Sequence, residues 1–109
     1  VVLPPFPFDD EKTYDENSRN AAVVFETESR EGIHLEDAKK VDGQWRVAGD
    51  NGMPIVVTGK GETMQAAREQ AYDRIDDIVM PNMYYRDDIG ERWVNGDGDR
   101  LQAWGYLGP

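Results

Sequence analysis

A chain of 109 residues is one domain by length, large enough for a single core. Its 22 acidic against 12 basic side chains leave a formal net charge of −10, which argues against nucleic acid and anionic membranes as partners, since both call for a surplus of Lys and Arg. The absence of Cys removes disulfides, thiolate zinc sites and Cys nucleophiles, and fits a cytoplasmic protein.

Hydrophobic residues make up 39% of the chain and aromatics 10%, so folding is expected. Asp outnumbers Glu and only four of the basic residues are Lys, a bias shared by salt-adapted proteins and by many ordinary acidic domains. The longest apolar runs are a few residues, too short for a membrane span, and nothing resembles a signal peptide. The first residues, VVLPPFPF, lack Met, and a piece of something longer is expected.

In chain order, Val1–Leu3 is a short apolar run stopped by Pro4, Pro5 and Pro7. Residues 9–20 are polar and read as a loop. Residues 21–25, AAVVF, have the β-branched, aromatic character of a buried strand. A meander is expected to begin at Ile33–Leu35, turn at Asp42-Gly43, where both positions favour positive φ, and return along Gln44–Val47 with Trp45 and Val47 on one face. Asn51-Gly52 is read as a second turn of the same kind, feeding residues 55–58.

Gly59 and Gly61 break that strand, and Thr63 is placed to cap a helix. Met64, Ala67, Ala71, Ile75 and Ile78 then recur at helical spacing, with Gln65, Arg68, Glu69, Asp73 and Asp76 toward solvent and Pro81 as the stop. Residues 83–90, MYYRDDIG, read as a short strand or turn, with one of Tyr84 and Tyr85 in the core and the other exposed. The tail from Glu91 carries NGDGDR and three aromatics, Trp93, Trp104 and Tyr106. The expected class is α+β, a small antiparallel sheet covered by one main amphipathic helix.

Several stretches hint at chemistry. GKGET, residues 59–63, lies between strand and helix, where phosphate loops sit, but it lacks the glycine spacing of a Walker loop and reads as a strand-to-helix turn. NGDGDR alternates acidic and amide positions as a calcium loop begins. However, Arg100 and Tyr106 stand where that loop needs Gly and Glu, so a flexible Gly-Asp turn is the better reading. His34, the single histidine, reads as packed or hydrogen-bonded, with ligand contact as the rival. Asp76 and Asp77 lie about 100° apart on a helix and read as a solvated face. No nucleophile–base pair and no closed metal set emerges, so the catalytic residues of any enzyme are not expected here.

Residues 55–90 resemble one family. Val57-Thr58, Gly61, Glu62-Thr63, Ala67, Ala71-Tyr72, Ile75, and Tyr85-Arg86 with Asp88-Ile89-Gly90 match, in order and spacing, the strand, capped helix and closing motif of the C-terminal domain of phosphoribosylamine–glycine ligase, also called glycinamide ribonucleotide synthetase. The resemblance is strong over 32–90, weak over 1–31 and absent from the tail 91–109. It implies a partly rolled, half-barrel-like sheet (the rudiment single-hybrid type) belonging to an ATP-grasp ligase of purine biosynthesis. It also implies that ATP and Mg2+ are bound by catalytic domains outside this chain, on which this one packs, and that the substrates are small molecules. By the same resemblance Arg86, Asp88 and His34 are the candidates nearest substrate, while Gly59, Gly61, Thr63 and Gly90 shape turns and the cap. Arg86 and Asp88 are expected to form an ion pair fixing the segment against the sheet, with Arg86 a rival phosphate contact.

The chain departs from the family at Asp87, where a second Arg is usual, at Glu36-Asp37, and at Pro4-Pro5-Phe6-Pro7. Acidic groups facing a phosphate would repel it. A divergent ligase joining another acid or amine, and a non-catalytic scaffold module using the tail aromatics, are the alternatives.

Overall fold

The computed structural model describes residues 1–108. Three helices and six short strands follow in the order α1 (Glu11–Asn17), β1 (Ala22–Phe25), β2 (Ile33–Leu35), β3 (Ala38–Val41), β4 (Gln44–Val47), β5 (Ile55–Val57), α2 (Met64–Asp76), β6 (Ile78–Val79) and α3 (Gly98–Ala103). The class is the expected α+β, with small antiparallel sheets and one main helix.

The expected meander is instead divided between two sheets. One has the order β3-β4-β1-β6, and the other holds only β2 and β5. The β3–β4 hairpin turns as the sequence indicated, with Asp42 at φ 50 and Gly43 at φ 81. At the second expected turn only Gly52 takes positive φ, at 72, and β4 does not pair with β5. Gly52 serves another purpose. Its carbonyl accepts from the Leu3 amide at 2.7 Å, and a Cβ there would stand 2.7 Å from the Leu3 carbonyl oxygen. The N-terminal run is thereby laid beside β5, and β5 pairs back to β2 with Leu35 opposite Ile55.

Residues 9–20 correct the loop reading. Asp10 accepts from the Thr13 amide at 3.1 Å and from its hydroxyl at 2.9 Å, capping a seven-residue helix. Tyr14 is that helix's one buried side chain, and its hydroxyl donates to the Ala48 carbonyl at 2.8 Å. A helix with a single inward residue leaves no apolar period to read.

Helix α2 begins as expected, with the Thr63 hydroxyl accepting from the Ala66 amide at 3.0 Å. It ends at Asp76, ahead of Pro81, because Ile78 is taken by β6 and paired with Phe25 at the edge of β1. Ile75 is the buried member of the helical stripe, whereas Met64 is exposed. The core gathers Leu3, Tyr14, Val23, Val47, Ile55, Ile78 and Met80 from most elements of the chain. Burying each of the larger of these contributes roughly 1.5–3 kcal/mol.

The tail is helical, which corrects the reading of NGDGDR as a flexible turn. A widened, π-type stretch, Trp93–Asp97, breaks at Gly96, φ 126, and α3 follows. The Trp93 ring packs where a Cβ on Gly98 would stand, 2.7 Å from its Cε2. Asp97 is held by Arg92 at 3.2 Å and Arg100 at 3.8 Å. The radius of gyration, 16.8 Å, exceeds the ~13 Å of a compact 100-residue domain, as an outlying tail requires.

Candidate functional site

A groove of about 510 Å³ runs between the N-terminal run, β5, α2 and residues 84–89. Its walls are largely apolar, with Phe6, Met53, Val56 and Ile75 among them, and among the described residues Arg68 and Arg86 are its only charged side chains. In a chain of net charge −10 this lining holds two arginines and no carboxylate, with Asp88 beside it paired to Arg86.

Tyr84 begins the closing segment by bridging to Val2, amide to carbonyl in both directions at 2.9 and 3.0 Å. Its hydroxyl donates to the Phe6 carbonyl. Both tyrosines are partly exposed and line the groove, so the expectation that one ring enters the core is corrected. The reason is that this segment pairs through a single bridge and is not extended enough to alternate faces across a sheet.

Arg86 grips Asp88 with both prongs, Nε to Oδ1 at 2.9 Å and Nη2 to Oδ2 at 2.8 Å. The hydrogen bond from Arg86 and then its charge hold the Asp88 carboxyl below the usual carboxylate range. The Arg86 side chain is 76% exposed, so this pair contributes little to stability. What fixes the segment comes from α2. The Tyr72 hydroxyl donates to the Arg86 carbonyl at 2.7 Å and accepts from the Ile89 amide at 3.1 Å. The Arg68 guanidinium donates to the Ile89 carbonyl and the Asp87 carbonyl, both at 2.8 Å. Arg68, expected on the solvent side, is thus bound to the closing segment. Neither residue was singled out as functional in sequence, although their spacing of four on one helix face was visible there.

His34 stands on β2 opposite Val56, exposed, with Nε2 3.2 Å from the Thr58 hydroxyl. It does not line the groove with Arg86. Glu36, Asp37 and Asp87 do not line it either, and Asp37 packs its carboxylate against Gly49. Gly90 takes φ 78 beside Met64.

The residues at 59–63 do not fit a nucleotide phosphate. The place of a Cβ on Gly59 lies 2.1 Å from the Ala67 carbonyl oxygen, the Lys60 amide is taken by Gln70 at 2.8 Å, and Thr63 caps α2 itself. Among the described residues no three His, Asp or Glu side chains converge on a point that could hold a metal ion. None of the described helices is long and apolar enough to cross a membrane.

Residues 10–92 match the family model "Phosphoribosylglycinamide synthetase, C domain". The chain is 42% identical over 65 residues to the phosphoribosylamine–glycine ligase of Corynebacterium ammoniagenes, covering 60% of this chain and 14% of that protein. It is 29% identical over 85 residues to the enzyme of that name from Mycobacterium tuberculosis strain H37Rv, covering 78% of this chain and 20% of the relative. With the one from Nostoc sp. it shares 43% over 53 residues, 49% of this chain and 12% of the relative. The chain therefore spans a fifth or less of the length of these relatives. No solved structure matches it.

Proposed function

Since the chain belongs to the phosphoribosylglycinamide synthetase C-domain family, we propose that it is the C-terminal domain of a phosphoribosylamine–glycine ligase, completing the substrate side of a cleft whose catalytic residues lie in other domains. The observation that carries this reading, beside the family match, is the closing motif itself. Tyr85 and Arg86 border an apolar groove, and the Arg86 side chain is largely exposed. A guanidinium suits a phosphate bidentately, and Asp88 holds its two donors parallel until a phosphate takes them over.

The family's ATP and Mg2+ would be held by the ATP-grasp domains, because the loop at 59–63 offers no phosphate cradle. The apolar groove wall supports packing against that core, as an uncovered apolar surface favours a partner. The carboxylates that motivated a divergent substrate, Glu36, Asp37 and Asp87, lie off the groove, which weakens that alternative. A scaffold role draws on the tail, where Trp104 and Tyr106 are 67% and 75% exposed. The cytoplasmic setting expected from the sequence belongs to the ligase reading.

The test is ADP release by the full-length protein with glycine and phosphoribosylamine generated in situ, against a panel of other acids and amines. Turnover that needs both substrates supports the reading. Turnover only with another pair moves the protein to the divergent ligases, and no ADP release with any pair leaves the scaffold role.

A further inference from the structure

We propose that Arg68 and Tyr72 form a clamp on α2 whose task is to set the direction of the Arg86 side chain, making them positioning residues for the phosphate-bearing substrate. The inference rests on the reading of Arg86 given above. Its ground is where the hydrogen bonds of residues 86–89 go. Among the described residues, the only hydrogen bonds joining this stretch to the body of the domain come from these two side chains, one helical turn apart. Together they satisfy the carbonyls of Arg86, Asp87 and Ile89 and the amide of Ile89.

The clamp touches only backbone and so fixes the point from which the Arg86 side chain leaves the chain, while Asp88 holds the guanidinium itself at 2.9 and 2.8 Å. The clamp is also internally braced. The Arg68 guanidinium lies 5.3 Å from the centre of the Tyr72 ring, and the Tyr72 ring stands 6.1 Å from that of Tyr85. A flexible loop would have to order itself around each substrate, whereas a loop bonded to a helix presents its guanidinium already placed.

The experiment uses the full-length enzyme, with KM for phosphoribosylamine, KM for glycine and kcat measured for Tyr72→Phe, Arg86→Gln and the double variant. Arg68→Lys, which keeps the charge but loses the fork, serves as an independent second probe. Loss of the two Tyr72 bonds is expected to raise KM for phosphoribosylamine about tenfold, leaving KM for glycine unchanged. In the Arg86→Gln background, Tyr72→Phe should then have no further effect, because its influence passes through Arg86. Equal damage in both backgrounds, or a parallel rise of both KM values, overturns the clamp and leaves a merely structural tyrosine. A silent Tyr72→Phe beside a damaging Arg86→Gln sinks the clamp alone. A silent Arg86→Gln removes the phosphate contact, and this inference falls with it.

Discussion

Replacing Gly59 by Ala tests the packing that separates this turn from a phosphate loop. Gly59 does not have positive φ, so the added methyl acts through space alone. It would meet the Ala67 carbonyl oxygen at 2.1 Å, the Ala71 amide nitrogen at 2.8 Å and the Ala71 Cβ at 3.0 Å. Two of the three are helix backbone, which cannot rotate aside. Restoring ordinary contact requires β5 or α2 to retreat by about 1.3 Å, and both also wall the groove.

Overpacking of this kind costs roughly 1–3 kcal/mol, and the rigidity of the partners puts this case at about 3 kcal/mol. The smaller entropy of the unfolded Ala chain returns at most about 1 kcal/mol. The net loss, ~2 kcal/mol, is a large part of a domain stability near 5–15 kcal/mol. It corresponds to a fall in Tm of roughly 8–16 °C. Urea unfolding followed by far-UV circular dichroism measures it. Gly43→Ala is the control, since nothing lies within 4 Å of its Cβ and only its φ of 81 costs energy, about 1 kcal/mol. A Gly59→Ala chain as stable as the parent, or no less stable than Gly43→Ala, would refute the close approach of turn and helix.

Two further outcomes concern ionisation. Burial pushes the Tyr14 phenol above its ordinary value, so the unfolded chain ionises first, and stability that is complete below about pH 10 is lost as pH rises through the folded value. Tyr14→Phe should cost about 1 kcal/mol at neutral pH, because the Ala48 carbonyl loses its donor, and should lose less between pH 9 and 11 than the parent does in urea titrations. Asp88 is depressed by Arg86, so its small contribution is present above the unfolded value, about 4, and is lost as pH falls through the lower folded one. Carboxyl carbon NMR should place its midpoint below that of a free Asp, and Arg86→Gln should return it to the ordinary range. An unchanged midpoint would mean that the pair is not formed in solution.

What the sequence made legible is what depends on neighbours along the chain. The Asp42-Gly43 turn, the Thr63 cap and the strand at β1 are each decided within a few residues, and each stands as read. The Arg86–Asp88 contact, two positions apart, is also local, but the fixing of the segment expected of it comes from Arg68 and Tyr72 on α2. What escaped was settled by distant partners. Helix α1, capped locally by Asp10, is anchored by Tyr14 on the Ala48 carbonyl, β6 takes Ile78 from the end of α2 because β1 has an open edge, and Arg68 turns from solvent to bind two carbonyls about twenty residues on. Residue type announces a hydrogen-bonding capacity, but not which far segment will use it.

The bridge between Val2 and Tyr84 has a consequence for the order of folding. The β3–β4 hairpin closes a two-residue turn and forms on a scale of about 1–10 μs once both strands exist. The groove has no such shortcut, for its walls are drawn from the first residues of the chain, from β5, from α2 and from the stretch around residue 85. During synthesis at about 5–20 residues per second, the hairpin has seconds to form and re-form before Tyr84 exists to bridge to Val2. The surface assigned to substrate therefore closes late, when Tyr84 reaches Val2, long after the hairpin has formed.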